Sequence, residues 1–309
     1  MKVYDLIIIG AGPAGITAAV YAARKKMDFL VLTIDIGGQA GWSSDVENYT
    51  GYQFISGPEL VAKFQEHMNS FGIKVQSFEP VKSVFKQDHL IKTVTEKAEY
   101  LSKTVIIATG KKSKLLNVPG EDKFRNKGVT YCATCDGPLY KGKEVAVIGG
   151  GNSALDAVLQ LMKICPKVYV INSQDFFDAD QVMIEKIQNT PEVEIWHNAK
   201  VKEIYGGKDD NTMDFVQGIS ISQKEKISQL KVKGVFIEIG LIPNSSFTQG
   251  INKNTLDEII VDCFNQTNLS GIFAAGDVTN VPEKQIIIAS GEGSKACLRA
   301  FKYLSTNKL

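Results

Sequence analysis

Two cysteines with two residues between them, Cys132-Ala133-Thr134-Cys135, are followed at once by Asp136. That spacing serves two chemistries. Sulfurs three positions apart close a small disulfide ring, and such a pair lowers a thiol pKa to about 7 or below, giving an attacking thiolate at neutral pH. The same spacing is half of a tetrahedral zinc site, which needs a second ligand pair. Cys165, Cys263 and Cys297 are isolated, and His67, His89 and His197 are scattered. The reading is therefore redox, with no metal expected. Asp136 has two roles open to it: moving protons between thiol and thiolate, or serving as a carboxylate at a helix start. The other cysteines read as buried small hydrophobes, and the histidines as surface or strand residues without a catalytic part.

Glycines carry the second chemistry, and they carry it twice. The β-rich run Tyr4–Ile9 ends in Gly10-Ala11-Gly12-Pro13-Ala14-Gly15, followed by a helical stretch and the strand Phe29–Leu32. Glu144–Ile148 runs into Gly149-Gly150-Gly151-Asn152-Ser153-Ala154, then a helix from about Leu155 and the strand Val168–Ile171. Each is a βαβ unit. Thr33 stands 18 residues after Gly15, and Asn172 stands 18 after Ala154. Such glycines allow a tight turn and close approach of backbone to a pyrophosphate, which then faces a helix N-terminus. One match is weak evidence; two in register, each between strand and helix, are strong.

The elements that position these residues suggest one domain inserted into another. Thr104–Ala108 reads as a buried strand ending at Thr109-Gly110, and Gly271–Ala275 as a strand delivering Gly276-Asp277 at its carboxyl end, where open α/β sheets bind ligands. Pro119-Gly120 and the polar stretch to Lys127 read as one crossing, and Gly240 to Asn244 as the other. The expected division is 1–116 with 245–309 for the first nucleotide domain and 117–244 for the second, which carries the cysteine pair. A final helix is expected from about Gln285 to Leu304.

Composition narrows the class. The chain has 309 residues, 44% hydrophobic and 22% charged, enough for two globular domains. Its formal charge of +1 offers no field for nucleic acid or an anionic membrane. The uncharged stretch Leu6–Ala23 is short for a membrane span and broken by Gly10, Gly12, Pro13 and Gly15. Five cysteines are too few for a disulfide scaffold, which points to a reducing cytoplasm.

Two dinucleotide turns with a CxxC-Asp just before the second resemble the low-molecular-weight thioredoxin reductase family, and within it the flavoprotein portion of the alkyl hydroperoxide reductase F subunit. The resemblance also rests on Gly37-Gly38-Gln39, Glu47-Asn48-Tyr49, Asn117–Asp122, Lys127–Cys132, Phe273–Asp277 and Lys284–Ala289. It implies an α/β fold of two Rossmann-like dinucleotide-binding domains of the three-layer ββα type, the second inserted into the first. It implies an FAD-dependent disulfide oxidoreductase, with Gly10–Gly15 at the FAD pyrophosphate. Gly38, Gln39, Asn48, Thr109, Gly110, Gly276, Asp277, Gln285 and Ile286 would line the rest. By the same resemblance Cys135 faces the flavin, Cys132 attacks the partner disulfide, Asp136 is the acid, and the protein is a homodimer. One departure shows: no acid stands at Thr33 or Ile34, so Asp35 or the Thr33 hydroxyl must meet the FAD ribose. Trp42 and Tyr49 read as packing and not as cofactor stacking.

The electron donor would sit on Gly149, Gly151, Asn152, Ser153 and Ala154, with Asn172 at the adenosine ribose. A 2′-phosphate needs Arg or Lys nearby. No basic residue occurs between Lys167 and Lys186, and Asp175, Asp178 and Asp180 stand where the resembled family carries arginines. NADH is expected and NADPH is not. The alternative is feeding by ferredoxin or another non-nicotinamide donor, downhill by about 130 mV to a thioredoxin. A flavin oxidase or a redox-inert binding module is the alternative of another class, and the intact CxxC-Asp argues against both. Because the first strand begins close to Met1, the expected partner is a separate thioredoxin- or glutaredoxin-like protein, with a peroxiredoxin further downstream.

Overall fold

The computed structural model describes residues 2–43, 46–208 and 214–307. The chain opens with β1 (Val3–Ala11), α1 (Pro13–Arg24), β2 (Phe29–Ile36), α2 (Gly57–Ser70), β3 (Val75–Gln76), β4 (Val81–Gln87), β5 (Leu90–Thr95) and β6 (Glu99–Ile107). Next come β7 (Lys111–Ser113), β8 (Val129–Thr130), α3 (Ala133–Asp136), β9 (Val145–Ile148), α4 (Asn152–Leu161), β10 (Val168–Ile171), α5 (Gln181–Gln188) and β11 (Val193–Trp196). They are followed by β12 (Ala199–Lys208), β13 (Asp214–Gln223), β14 (Lys226–Leu230), β15 (Gly234–Ile237), β16 (Leu241–Pro243), β17 (Ile272–Ala274) and α6 (Ile286–Thr306).

Two compact units result, Met1–Lys112 with Ile242–Leu309, and Ser113–Leu241. The crossings fall at β7 and β16, a few residues before the expected 116/117 and 244/245. Pro119-Gly120 is not a crossing. The Ile204 N–H donates to the Pro119 carbonyl at 2.9 Å, and a Cβ on Gly120 would lie 1.8 Å from the Ile204 carbonyl oxygen. The breaker is thus packed inside the second unit against β12.

In the first unit β3, β2, β1 and β6 pair in that order, all parallel. β6 then serves two neighbours on one edge. Its Val105–Ile107 half takes β17 in parallel and its Glu99–Ser102 half takes β5 antiparallel, with β4 beyond. Strand side chains alternate between faces, and a parallel sheet covered on both reads as a continuous apolar run. Leu6 and Ile8 face α1 and α6, while Ile7 and Ile9 face Val84, Ile91 and Ile251. Each buried Ile or Leu contributes about 1.5–3 kcal/mol. α1 and α6 meet through small residues: a Cβ on Gly293 would lie 2.0 Å from the Ala14 carbonyl oxygen.

The second unit has the parallel order β11-β10-β9-β15-β8. Strand order reverses at β9, so the carboxyl ends of β9 and β15 flank the crevice where such sheets bind ligands. One face packs on α4 and α5. The other is covered by the antiparallel sheet β12-β13-β14, whose Val201, Ile204, Val216 and Ile219 meet Ala146, Ile148 and Val235.

Candidate active site

Cys132 and Cys135 are joined as a disulfide, with their Cα atoms 5.3 Å apart. The placement starts with β8, which buries Val129 and Thr130 and leaves Cys132 as the residue capping α3. The Thr130 hydroxyl then ties the motif together. It accepts the Cys132 N–H at 3.3 Å and donates to Asp136 Oδ2. Cys135 N–H donates to Cys132 Sγ at 3.2 Å. Asp136 therefore sits on the turn that carries both sulfurs, as its place in the sequence requires. Sequence reading missed the carboxylate opposite. Glu238, just after β15, accepts the Ala133 N–H at 3.2 Å. Burial pushes its carboxyl up to about 7, against the pull of that N–H and with a further push from Asp156.

The second glycine turn joins β9 to α4 in the same unit. Gly149 has φ 145°, and a Cβ there would lie 2.3 Å from the Glu238 carbonyl oxygen and 2.9 Å from Ala154 Cβ. Asn152 and Ser153 stand exposed at the start of α4, and Ala154 is buried. Asn172 is buried, its Oδ1 accepting the Gln174 N–H at 3.1 Å and its Nδ2 donating to the Phe176 carbonyl at 2.6 Å. The amide is thus engaged with its own loop. That loop folds back on the turn: the Asp178 N–H donates to the Gly150 carbonyl at 2.9 Å, and the Asp180 N–H to Asn152 Oδ1 at 2.8 Å. Asp175, Asp178 and Asp180 are all exposed. His197, read as uninvolved, lies beside the same loop, with Nδ1 3.3 Å from the Gln174 carbonyl and 3.4 Å from Asn172 Nδ2.

In the first unit the glycines divide by what surrounds them. A Cβ would lie 2.4 Å from the Ala108 carbonyl oxygen at Gly10 and 1.9 Å from the Gly10 carbonyl oxygen at Gly15. Packing requires both. At Gly12 the nearest atom is 4.0 Å away. The protein itself has no need of a glycine there, so the opening beside Pro13 and the α1 N-terminus fits an approaching pyrophosphate. The Thr33 hydroxyl is spent locally, accepting the Ala11 N–H at 3.1 Å and donating to the Asp35 carbonyl at 2.5 Å. Asp35 is exposed and its Oδ1 accepts the Gly38 N–H at 3.1 Å.

Segments far apart in sequence converge at the carboxyl ends of β1, β6 and β17. Gln39 Nε2 donates to the Lys111 carbonyl, and Asn48 Nδ2 to Gln285 Oε1 at 3.0 Å. Thr109 donates to the Asn244 carbonyl at 2.6 Å, and the Asn244 N–H to the Gly110 carbonyl at 2.9 Å. Gly276 has φ 74° and stands against Ala14 and Ala289. Ile286 opens α6 and joins Tyr49 around Val46, Ile55 and Leu60. Behind them lies a charge cluster that sequence reading did not find. Buried Glu258 pairs with Lys111 and, at 3.3 Å, with Lys284. Burial raises the Asp277 carboxyl, and Lys284 and Lys111 pull it back.

The remaining cysteines do not all behave as expected. Cys165 and Cys297 are buried, and burial lifts their thiols to about 11 and about 12. Cys263 is exposed. The Asp262 carboxylate accepts the Phe264 and Gln266 N–H groups at 2.9 Å each, a local turn that leaves Cys263 outside. Among the described residues no group of three or more His, Cys, Asp or Glu is placed to hold a metal. No helix among them is long and apolar enough to cross a membrane.

The pyridine nucleotide-disulphide oxidoreductase model matches residues 4–293. The chain is 40% identical to the NADH dehydrogenase of Ferdinandcohnia aciditolerans, over 98% of this chain and 58% of that one. It is 39% identical to the alkyl hydroperoxide reductase F subunit of Escherichia coli, over 99% of this chain and 59% of that one. It spans less than two thirds of the length of these curated relatives. A thioredoxin reductase structure from Streptococcus pyogenes superposes with a TM-score of 0.92 at 34% identity, covering 99% of both chains. The chain belongs to the pyridine nucleotide-disulphide oxidoreductases, as an FAD-dependent enzyme with the thioredoxin reductase fold.

Proposed function

We propose that this member of the family passes electrons from NADH, through FAD, to the Cys132–Cys135 disulfide and on to the disulfide of a thioredoxin- or glutaredoxin-like protein. The observation that carries the reading is the disulfide itself, set on a turn whose Thr130 hydroxyl joins the Cys132 N–H to Asp136. FAD, when bound, supplies two-electron reduction of that disulfide. Gly10, Gly12 and Gly15 with Pro13 and Ala14 would hold its pyrophosphate. Asp35 is the better ribose partner, because the single Thr33 proton is already given to a backbone carbonyl. Gln39, Asn48, Asp277, Gln285 and Ile286 would orient the flavin end. Asp136 holds the proton exchanged as Cys132 and Cys135 alternate between disulfide and dithiol.

NADH is preferred to NADPH because the β10–α5 segment offers three exposed carboxylates and no cation to a 2′-phosphate. The relative named NADH dehydrogenase supports that choice. The alkyl hydroperoxide reductase relative supports a peroxiredoxin downstream, and the family resemblance a homodimer. One observation favours a second reading. Backbone of Asp178 and Asp180 is laid on Gly150 and Asn152, where a dinucleotide would bind, so a non-nicotinamide donor such as ferredoxin is the alternative. Anaerobic stopped-flow reduction of the flavin by NADH, NADPH and reduced ferredoxin separates them. Reduction by NADH far faster than by NADPH is expected. Reduction by ferredoxin alone overturns the donor assignment and leaves the disulfide reading standing.

A further inference from the structure

Glu238 reaches the cysteine turn from the neighbouring strand. The strand β15 pairs with β8, so the residue after one strand lies beside the turn that follows the other. Its Oε1 accepts the Ala133 N–H at 3.2 Å, while the Cys135 N–H of the same four-residue α3 donates to Cys132 Sγ at 3.2 Å. One carboxylate and one sulfur thus divide the donors of a single turn. Joined in a disulfide, that sulfur carries no charge. After reduction a thiolate and a carboxylate would stand on the same short segment, and each disfavours the charge of the other.

We propose that Glu238 is a positioning residue for the Cys132–Cys135 couple, its carboxyl setting, through the donors of the turn, how readily the reduced pair exists as a thiolate. The proposal rests on the disulfide-reductase reading above and adds to it a second proton-holding group besides Asp136. Burial keeps Glu238 half-titrated at about 7. The charged groups on the elements around it are Asp156 on α4, which raises it, and Asp136 on α3. Lys114 lies beside Gly240 on its own segment, and the Gly149-Gly150-Gly151 turn contributes no side-chain charge. Just above neutrality the balance is closed. Dithiothreitol gives two electrons and two protons and becomes its cyclic disulfide; the Cys132–Cys135 bond breaks; one proton goes to a sulfur and one to the Glu238 carboxylate, leaving the other sulfur as thiolate.

The test equilibrates the full chain with reduced and oxidised dithiothreitol from about pH 6 to about pH 8.5, followed by acid quench, alkylation and mass spectrometry. Glu238→Gln keeps a neutral acceptor for Ala133. Its equilibrium constant for reduction should exceed the wild-type value by about tenfold at the alkaline end, the size of a one-unit thiol shift, and agree within about twofold at the acid end. A purely structural role would shift the constant equally at all pH. Asp156→Asn, at an exposed position, should move the break in the profile to lower pH, because a neighbouring negative charge is removed. Parallel profiles for wild type and Glu238→Gln overturn the proposal, and so does an unmoved break in Asp156→Asn. A disulfide that dithiothreitol reduces in none of the three proteins overturns the reductase reading beneath it.

Discussion

Breaking the Glu258 cluster should cost very different amounts according to which partner is removed. Glu258 Oε1 meets both Lys111 and Lys284, and Oε2 takes Asn254 Nδ2 at 2.5 Å. Burial raises this carboxyl, but Lys111, Asn254 and Lys284 together outweigh it and hold the group below its ordinary value. In Lys111→Met the carboxylate keeps Lys284 and Asn254, and methionine fills similar volume, so a loss of about 1–2 kcal/mol is expected. In Glu258→Gln the two ammonium groups lose the anion that they hydrogen-bond and keep only the field of the Asp277 carboxyl. Lys284 still donates to the Thr279 and Val281 carbonyls, whereas the Lys111 side chain is only 7% exposed and rests on Glu258. The cost there should reach about 3–5 kcal/mol. The double variant should be more stable than Glu258→Gln alone by about 2 kcal/mol, because it removes the stranded cation. Urea unfolding by circular dichroism gives the energies, and hydrogen exchange in β6 and β17 assigns them to the first unit. Equal costs for the two single variants, or a double variant as unstable as their sum, would refute the reasoning.

Cys135→Ser should bind FAD and accept electrons from the donor yet lose protein-disulfide reduction by about 10³-fold or more, read by stopped-flow and insulin-coupled assays; a fully active variant removes Cys135 from the mechanism. Gly12→Ala should leave the urea midpoint almost unchanged, since its Cβ meets nothing closer than 4.0 Å, while FAD affinity falls by at least about tenfold in fluorescence titration. Gly15→Ala, with a Cβ 1.9 Å from the Gly10 carbonyl oxygen, should unfold the first unit instead. Glu238, raised to about 7 in the folded chain, makes wild type lose stability as pH climbs from about 4.5 to about 7, because the unfolded chain ionises first. Glu238→Gln should therefore match wild type near pH 4.5 and exceed it by up to about 3 kcal/mol near pH 8, measured as urea midpoints; a gap that is independent of pH would contradict the burial argument.

Local features were legible in the sequence and long-range charges were not. The strand–glycine–helix runs at Tyr4–Lys26 and Glu144–Ile164 announce themselves because tight turns need glycine and buried parallel strands need unbroken apolar runs. They appear as β1–α1 and β9–α4. The two sulfurs and Asp136 were legible because five adjacent residues, Cys132 to Asp136, carry them. Glu238 was invisible because 105 residues separate it from Ala133. Lys111, Glu258 and Lys284 come from three segments that only the completed sheet gathers, and each alone is an ordinary charged residue. Sequence reading also passed over β12–β14, where Lys, Glu, Ser and Gln alternate with Val and Ile and leave only one apolar face. Cys263 was misjudged because exposure there depends on a side-chain turn at Asp262, not on cysteine's usual preference.

The division of the first unit between two ends of the chain has a consequence during synthesis. A ribosome releases β1, α1 and β6 early, but the partner of α1 is α6, and the outer neighbour of β6 is β17. All strands of the second unit have emerged by Leu241, so it can close its own sheet while the first still waits for residues beyond Ile272. Over that interval the faces of Ile8, Ala18 and Ile106 that later meet Ala296 and Ala300 stand open to solvent. A nascent chain with those faces uncovered is exposed to aggregation and to holding chaperones, whereas every strand of the inserted unit is by then available to pair. Slow translation between Ile242 and Ile286 would lengthen the exposure, and fast translation would shorten it.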